Sequence, residues 1–400
     1  MFATSTAAAR DAKPGAWGAW PFVLAVFGAS RLLFFAAGTL AALLLPWAEP
    51  AGEPLEPPGF LNHWAHWDGA WYAHLATEGY GPRAPQSTAF FPLYPLLVRA
   101  GTLFGVGPAF SGVLVSLICT LFATYFLYGI AEKFGGTGTA RAATLAFSFF
   151  PTAFFLGAPY TEAPFVAFTA GSFWAAYVRR DLLLAGLFGA LASATRNLGV
   201  LLLIPLGYEL LRHRREFGWR GLLSLGLVPV GFLGYAAFLW ARFGDPLMFG
   251  RAQGFWGREL TNPATTLTRA WNAAGEGARF VLSPETLFLN PGSAPALYAS
   301  NTVSLVFFAL FLVLMGVGFV VLPPGLSAYT FVVTLLPVLT PAPSFPLMSM
   351  PRFMLGAFPL FLVAGYLLSR SRPALYAWLV VSALLGVALT ALFTTWRWVA

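Results

Sequence analysis

Charge is what this sequence has least of. Only 10% of its 400 residues are Asp, Glu, Lys or Arg, against roughly 25% in an ordinary soluble domain. That scarcity, with 58% hydrophobic residues, excludes a water-soluble globular chain and points to a polytopic membrane protein. Lysine is nearly missing, since Lys13 and Lys133 are the only two. The formal charge of +8 therefore rests on arginines scattered between apolar runs, a pattern that reads as membrane topology and not as a nucleic-acid surface. The one cysteine, Cys119, lies in an apolar run, which excludes an intrachain disulfide and gives no support to a Cys-based metal site. No GxxxxGK loop is present, so nothing suggests an ATP-driven machine. Nor is there an internal repeat of the transporter kind.

What is present is a series of apolar runs, such as 221–240 and 303–322, near the ~20 residues needed to cross ~30 Å of hydrocarbon. Their length selects an all-α helical bundle over a barrel. Basic clusters mark the cytoplasmic side. Arg10 and Lys13 hold the tail 1–19 inside, and the run 20–45 is read as an uncleaved signal anchor. A first outer loop, 46–108, follows; within it 93–107 is apolar but short and holds Pro95 and Arg99, which suits an interfacial helix. The run 109–131 returns to Lys133 and Arg141. From Arg141 to Arg179 and Arg180 two crossings fit, with Tyr160, Thr161 and Glu162 at the outer turn. The next ~30 residues again have basic ends, so two short helices of ~21 Å each should meet at Thr195, Arg196 and Asn197. A second outer loop, 241–300, precedes further crossings, and residues 371–400 hold the last helix and tail. The expected total is about eleven crossings, with a multi-pass chain in the cell membrane and Asp68, Glu162, Arg196 and Arg352 all on the extracytoplasmic face.

Asp68 sits in AHWDGAWYAHLATEGY, the most polar stretch of the first loop. Its carboxylate can be an N-cap for a helix striped by Trp64, Trp67, Trp71 and Leu75, or a general base taking a proton from an attacking hydroxyl. Glu162, at the tip of an apolar hairpin, either does chemistry or pairs with an arginine to hold two helices. Arg31, inside the first crossing, needs a carboxylate, carbonyl or phosphate partner. Arg196 and Arg352 lie at outer boundaries, where a guanidinium fork suits phosphate oxygens or snorkels to headgroups. His63, His66 and His74 lack the spacing of a metal site.

In order, HWDGAWYAHLATEGY, AFFPLYPLLVR, FFPTAFFLGAPYTEAPF, AGLFGALASATRNLGVLLLIP, FGDPLMFGRAQGFWGR and SMPRFMLGAFPLF resemble the PIG-V-like mannosyltransferases, a branch of the GT-C glycosyltransferases. The resemblance covers about residues 20–370. It implies a GT-C-type bundle with a catalytic carboxylate in the first outer loop and a polyprenyl-phosphate-linked sugar, mannose, as donor, with no cofactor or metal. The family's loop Asp maps to Asp68, its Tyr-Thr-Glu element to Tyr160, Thr161 and Glu162, and its Thr-Arg element to Thr195 and Arg196. His66 departs from the Arg that many relatives carry. The residues expected to act are Asp68 and Glu162 as the catalytic pair, with His66, Trp67, Trp71, Tyr72, Tyr160, Arg196, Arg258, Arg352 and Arg31 binding substrate; Arg258, with Asp245, Arg251, Gln253 and Trp256, can bind substrate or cap the bundle. The Ala- and Arg-rich composition suggests a bacterial member, and no feature identifies the acceptor. Two other classes stay open: a lipid or glycolipid carrier, which would spread polar residues through the bilayer depth, and a catalytically inactive assembly subunit.

Overall fold

The computed structural model describes residues 18–49, 61–81 and 84–399; Arg10 and Lys13, on which the reading of the tail rests, lie outside them. Helix α1 (Trp20–Leu44) leads into the first loop, which folds as a 3-10 turn, α2 (Asp68–Thr77), a second 3-10 turn (Pro85–Ala89) and α3 (Leu93–Thr102). At ten residues α3 is ~15 Å long, too short to cross, and Tyr94 ties it to the bundle by donating to the Gly112 carbonyl at 2.9 Å. Then come α4 (Pro108–Ser148), α5 (Glu162–Phe173) running into a π-helical turn, α6 (Leu182–Thr195), α7 (Leu203–Arg212), α8 (Arg214–Leu227) and α9 (Val230–Phe243). The second long loop carries α10 (Met248–Arg251), a 3-10 turn (Ala252–Trp256), α11 (Pro263–Val281) and α12 (Pro284–Leu289). The remainder is α13 (Ala294–Val321), α14 (Pro324–Leu339), the short α15 (Met350–Phe353), α16 (Pro359–Leu368) and α17 (Arg372–Thr394).

The chain is a multi-pass membrane protein. Among the described residues five segments are long and apolar enough to cross a bilayer: α1, α4, α8 with α9, α13 and α17. A sixth is the pair Met350–Ala357 and Pro359–Leu368, bent by 82°. Helix α4 is in fact two helices, because Gly136 has φ 76° and ψ 176°, a conformation glycine adopts without steric cost. Dividing α4 there and including α5, α6, α7 and α14 makes the described helices consistent with the expected eleven crossings. The 14 residues of α6 give the ~21 Å foreseen from its basic ends.

The two ends of α6 define the two ends of the bundle. At the first, Asp181 caps the helix by accepting from Leu184 N–H at 3.0 Å, and Arg180 bonds Glu216 at 2.6 Å and buried Glu209. Phe134, next to Lys133, packs its ring 5.7 Å from Tyr177 at this basic end. Arg196 stands at the other end. Between them the core is aromatic, with Phe150 5.2 Å from Phe307 and 5.1 Å from Phe361, both edge-on. Such pairs add ~0.5–1.5 kcal/mol beyond area burial.

Beyond α17, Arg397 is fully buried. It donates to Pro46 O and Asn290 O, each at 2.8 Å, and to Thr395 Oγ1 at 2.9 Å. One guanidinium thus joins the exit of α1, the second long loop and the segment after α17. Arg397→Met leaves those acceptors unpaired and should cost on the order of 2–3 kcal/mol, read as a lowered thermal midpoint in detergent.

Candidate active site

Asp68 is the first residue of α2, and its side chain makes no capping bond; the N-cap position is Trp67. The capping alternative is therefore corrected. The carboxylate instead meets Arg352, Oδ2 to Nη2 at 2.8 Å, with a quarter of its side-chain surface open. Trp67 has φ 49° and ψ −113°, a region that costs a side-chain-bearing residue ~1–3 kcal/mol. The surrounding structure holds that geometry. A Cβ on Gly69 would lie 3.2 Å from the Tyr160 ring, so glycine lets the start of α2 seat against the Tyr160 turn. Tyr160 donates to the His66 carbonyl at 2.7 Å, and the Tyr72 hydroxyl lies 3.0 Å from Thr161 Oγ1.

That turn delivers Glu162 to the first turn of α5, where the positive helix end favours a carboxylate. Glu162 is buried. Its Oε1 lies 2.8 Å from Arg196 Nη1 and 3.2 Å from Arg352 Nε, while Oε2 is buried with no protein partner. Arg352, itself buried, thus bridges two carboxylates that are far apart in sequence. It follows Ser349, another non-glycine residue with positive φ, 67°.

The cluster has more positive charge than negative. The Phe353 ring is faced by Arg196 at 5.0 Å, Arg352 at 5.1 Å and Arg258 at 5.7 Å. Half-buried Arg258 comes from the second long loop, just after Gly257 (φ 65°), and donates to Thr340 O at 3.3 Å. Thr261 N–H to Leu339 O at 2.8 Å fastens the same strand of chain. Burial, and next the charge of Arg352, push the Arg258 guanidinium down to about 10, against the pull of Asp68; it stays charged at neutral pH. Three guanidinium groups against two carboxylates make a site that attracts an anion.

The remaining candidates are placed differently. Trp71 stacks on Phe90 at 6.0 Å, on the flank of the cluster. The ring of Trp67 faces Phe393, Trp396 and Trp398. His66 is buried, its ring 4.1 Å from Trp396 and 5.9 Å from Phe393, and neither ring nitrogen has a protein hydrogen bond of good geometry. Burial first, then His63, lower its pKa to about 3, with the Thr394 backbone opposing. A neutral folded-state His66 contributes stability above the unfolded value near 6.5 that is lost as pH falls toward 3, because the unfolded chain binds the proton. His66→Phe should flatten that acid limb of the thermal midpoint between pH 4.5 and 6.5. Arg31 lies apart from the carboxylates: it donates to Ala153 O at 2.7 Å and Ser148 O at 3.2 Å, closing the carbonyl end of α4. Among residues the sequence did not single out are Phe353 and Arg397; the only signal for Phe353 was its adjacency to Arg352. An open cavity of about 310 Å³ lies elsewhere, between Phe243, Met248 and Phe255, beside the Asp245–Arg251 pair at 3.2 Å.

Residues 87–239 match the family described as dolichyl-phosphate-mannose-protein mannosyltransferase. The matched stretch includes Glu162 and Arg196 but neither Asp68 nor Arg352. The fold is similar to ArnT from Cupriavidus metallidurans bound to undecaprenyl phosphate, with a TM-score of 0.51, 14% identity, 91% of this chain and 63% of that chain covered. For ArnT from the same organism in the apo state the TM-score is 0.40, with 13% identity and coverages of 88% and 78%. The chain thus spans 63% of the first ArnT chain, and the likeness is one of fold, a helical membrane bundle. No curated protein sequence matches.

Proposed function

We propose that the chain is an inverting glycosyltransferase that moves a sugar, mannose, from a polyprenyl-phosphate donor to an acceptor hydroxyl at the extracytoplasmic face of the cell membrane. On this reading it is a bacterial, PIG-V-like member of the GT-C glycosyltransferases. The observation that carries it is Arg352 bridging a partly open Asp68 and a buried Glu162, inside an arginine excess. The family match in residues 87–239 and the likeness to a fold crystallised with undecaprenyl phosphate support the donor class.

In the reaction Asp68 takes the proton of the acceptor hydroxyl as that oxygen bonds to the anomeric carbon. The bond from that carbon to the phosphate oxygen breaks, and its electron pair leaves with the polyprenyl phosphate. Attack opposite the leaving group inverts the anomeric centre. Arg352, released from Asp68 as that group is protonated, together with Arg196 and Arg258, stabilises the phosphate charge. Glu162 is the fixed counter-charge that orients Arg196 and Arg352. Half-buried Trp71 flanks the base and offers a face for a sugar ring, while buried Tyr72, between Phe90 and Tyr94, holds the Thr161 turn beneath it.

The test is transfer by purified protein in liposomes, with EDTA, from radiolabelled polyprenyl-phosphate mannose or from the nucleotide sugar. Label should leave only the lipid-linked donor. Transbilayer movement of the donor without transfer would instead favour the carrier reading.

A further inference from the structure

Asp68 is aimed by a residue in an unfavourable conformation, and the part of the molecule that holds that residue is remote in sequence. Trp67 and Trp396 both have positive φ, 49° and 64°, and their rings lie 5.3 Å apart. Trp398 closes on Trp67 edge-on, also at 5.3 Å, and Phe393 at 5.2 Å. The segment carrying these rings is anchored: Arg397 N–H bonds Leu392 O at 2.9 Å, and Ala48 N–H bonds Thr395 O at 2.9 Å. The Arg397 guanidinium reaches Pro46 O and Asn290 O. This segment reaches the cluster through Trp67, one residue before Asp68, and through Phe393, which lies 5.2 Å from Phe155 and 5.9 Å from Tyr160, two rings that Arg352 faces.

We propose that residues 395–399 are a positioning clamp for Asp68: Arg397 fixes the segment, and Trp396 and Trp398 hold Trp67 in the left-handed geometry that starts α2 at the base. The inference rests on Asp68 being the base. Trp396 and Trp398 are positioning residues, because they act through Trp67. A loosened Trp67 lets Asp68 drift from the acceptor oxygen, and displacements near 1 Å are worth ~100-fold in rate.

The experiment uses the full chain in liposomes as wild type, Trp398→Ala, Trp398→Phe and Asp68→Asn. Hydrogen exchange is followed at Gly69, Ala70 and Trp71, whose N–H groups bond His66 O and Trp67 O. In Trp398→Ala, exchange at these amides should rise roughly tenfold while α4 amides are unchanged. Turnover should fall roughly tenfold or more at an unchanged KM for donor, and Trp398→Phe should recover most of it. Unchanged exchange at the three amides, or a uniform rise through α4, overturns the clamp. A local rise accompanied by wild-type transfer from Asp68→Asn keeps the clamp and overturns the base assignment instead.

Discussion

Arg352→Ala should lower both stability and activity more than any other single change. Arg352 reaches Asp68 at 2.8 Å and Glu162 at 3.2 Å while almost wholly buried. Its removal leaves Glu162 with Arg196 alone and Asp68 with no ion-pair partner among the described residues. Breaking a buried ionic arrangement by deleting one member costs ~3–5 kcal/mol, much of it the cost of the carboxylates left behind. The thermal midpoint in detergent should drop accordingly and transfer should be lost. Arg352→Lys separates the two effects. A single ammonium can satisfy one carboxylate but not span two, and it cannot present a planar fork to phosphate. Part of the stability should return and little of the activity. A midpoint for Arg352→Ala equal to wild type would mean that the bridge is incidental.

Asp68→Asn keeps the shape of the side chain and removes its basicity. General-base groups contribute ~100- to 10,000-fold, so turnover should fall within that range with KM for donor little changed. Stability should change less than in Arg352→Ala: the Asp68 side chain is a quarter open, the amide keeps an oxygen that can accept from Arg352, and Arg352 keeps Glu162 at 3.2 Å. Asp68→Glu, one methylene longer, retains the charge but moves the oxygens and should fall between the two. The contrast with Arg352→Ala is informative, since one variant loses rate with the fold kept and the other loses both.

The parity of basic clusters was enough to gather Asp68, Glu162, Arg196 and Arg352 at one end, because each apolar run between arginines must cross or turn back. The same arithmetic anticipated the short α6 and its break at Arg196. Spacing could not decide whether Asp68 capped a helix, since a carboxylate at a helix start satisfies both readings until its partner is known. That partner, Arg352, is 284 positions away. Long-range pairing also hid the roles of Arg31 and Arg397, which bond backbone carbonyls and so leave no complementary charge to find in the sequence. Mixed charges and no periodic signal in the second long loop left open whether Arg258 binds substrate or caps the bundle. Its route is set by backbone bonds from residues 259 and 261 to 341 and 339.

The most direct measurement is label transfer from polyprenyl-phosphate mannose in liposomes, wild type beside Asp68→Asn, with the anomeric configuration of the product determined. Product of inverted configuration from the wild type, with at least a ~100-fold slower rate from Asp68→Asn, is the result expected. Equal rates from the two proteins, or a product of retained configuration, would contradict a direct displacement with Asp68 as base.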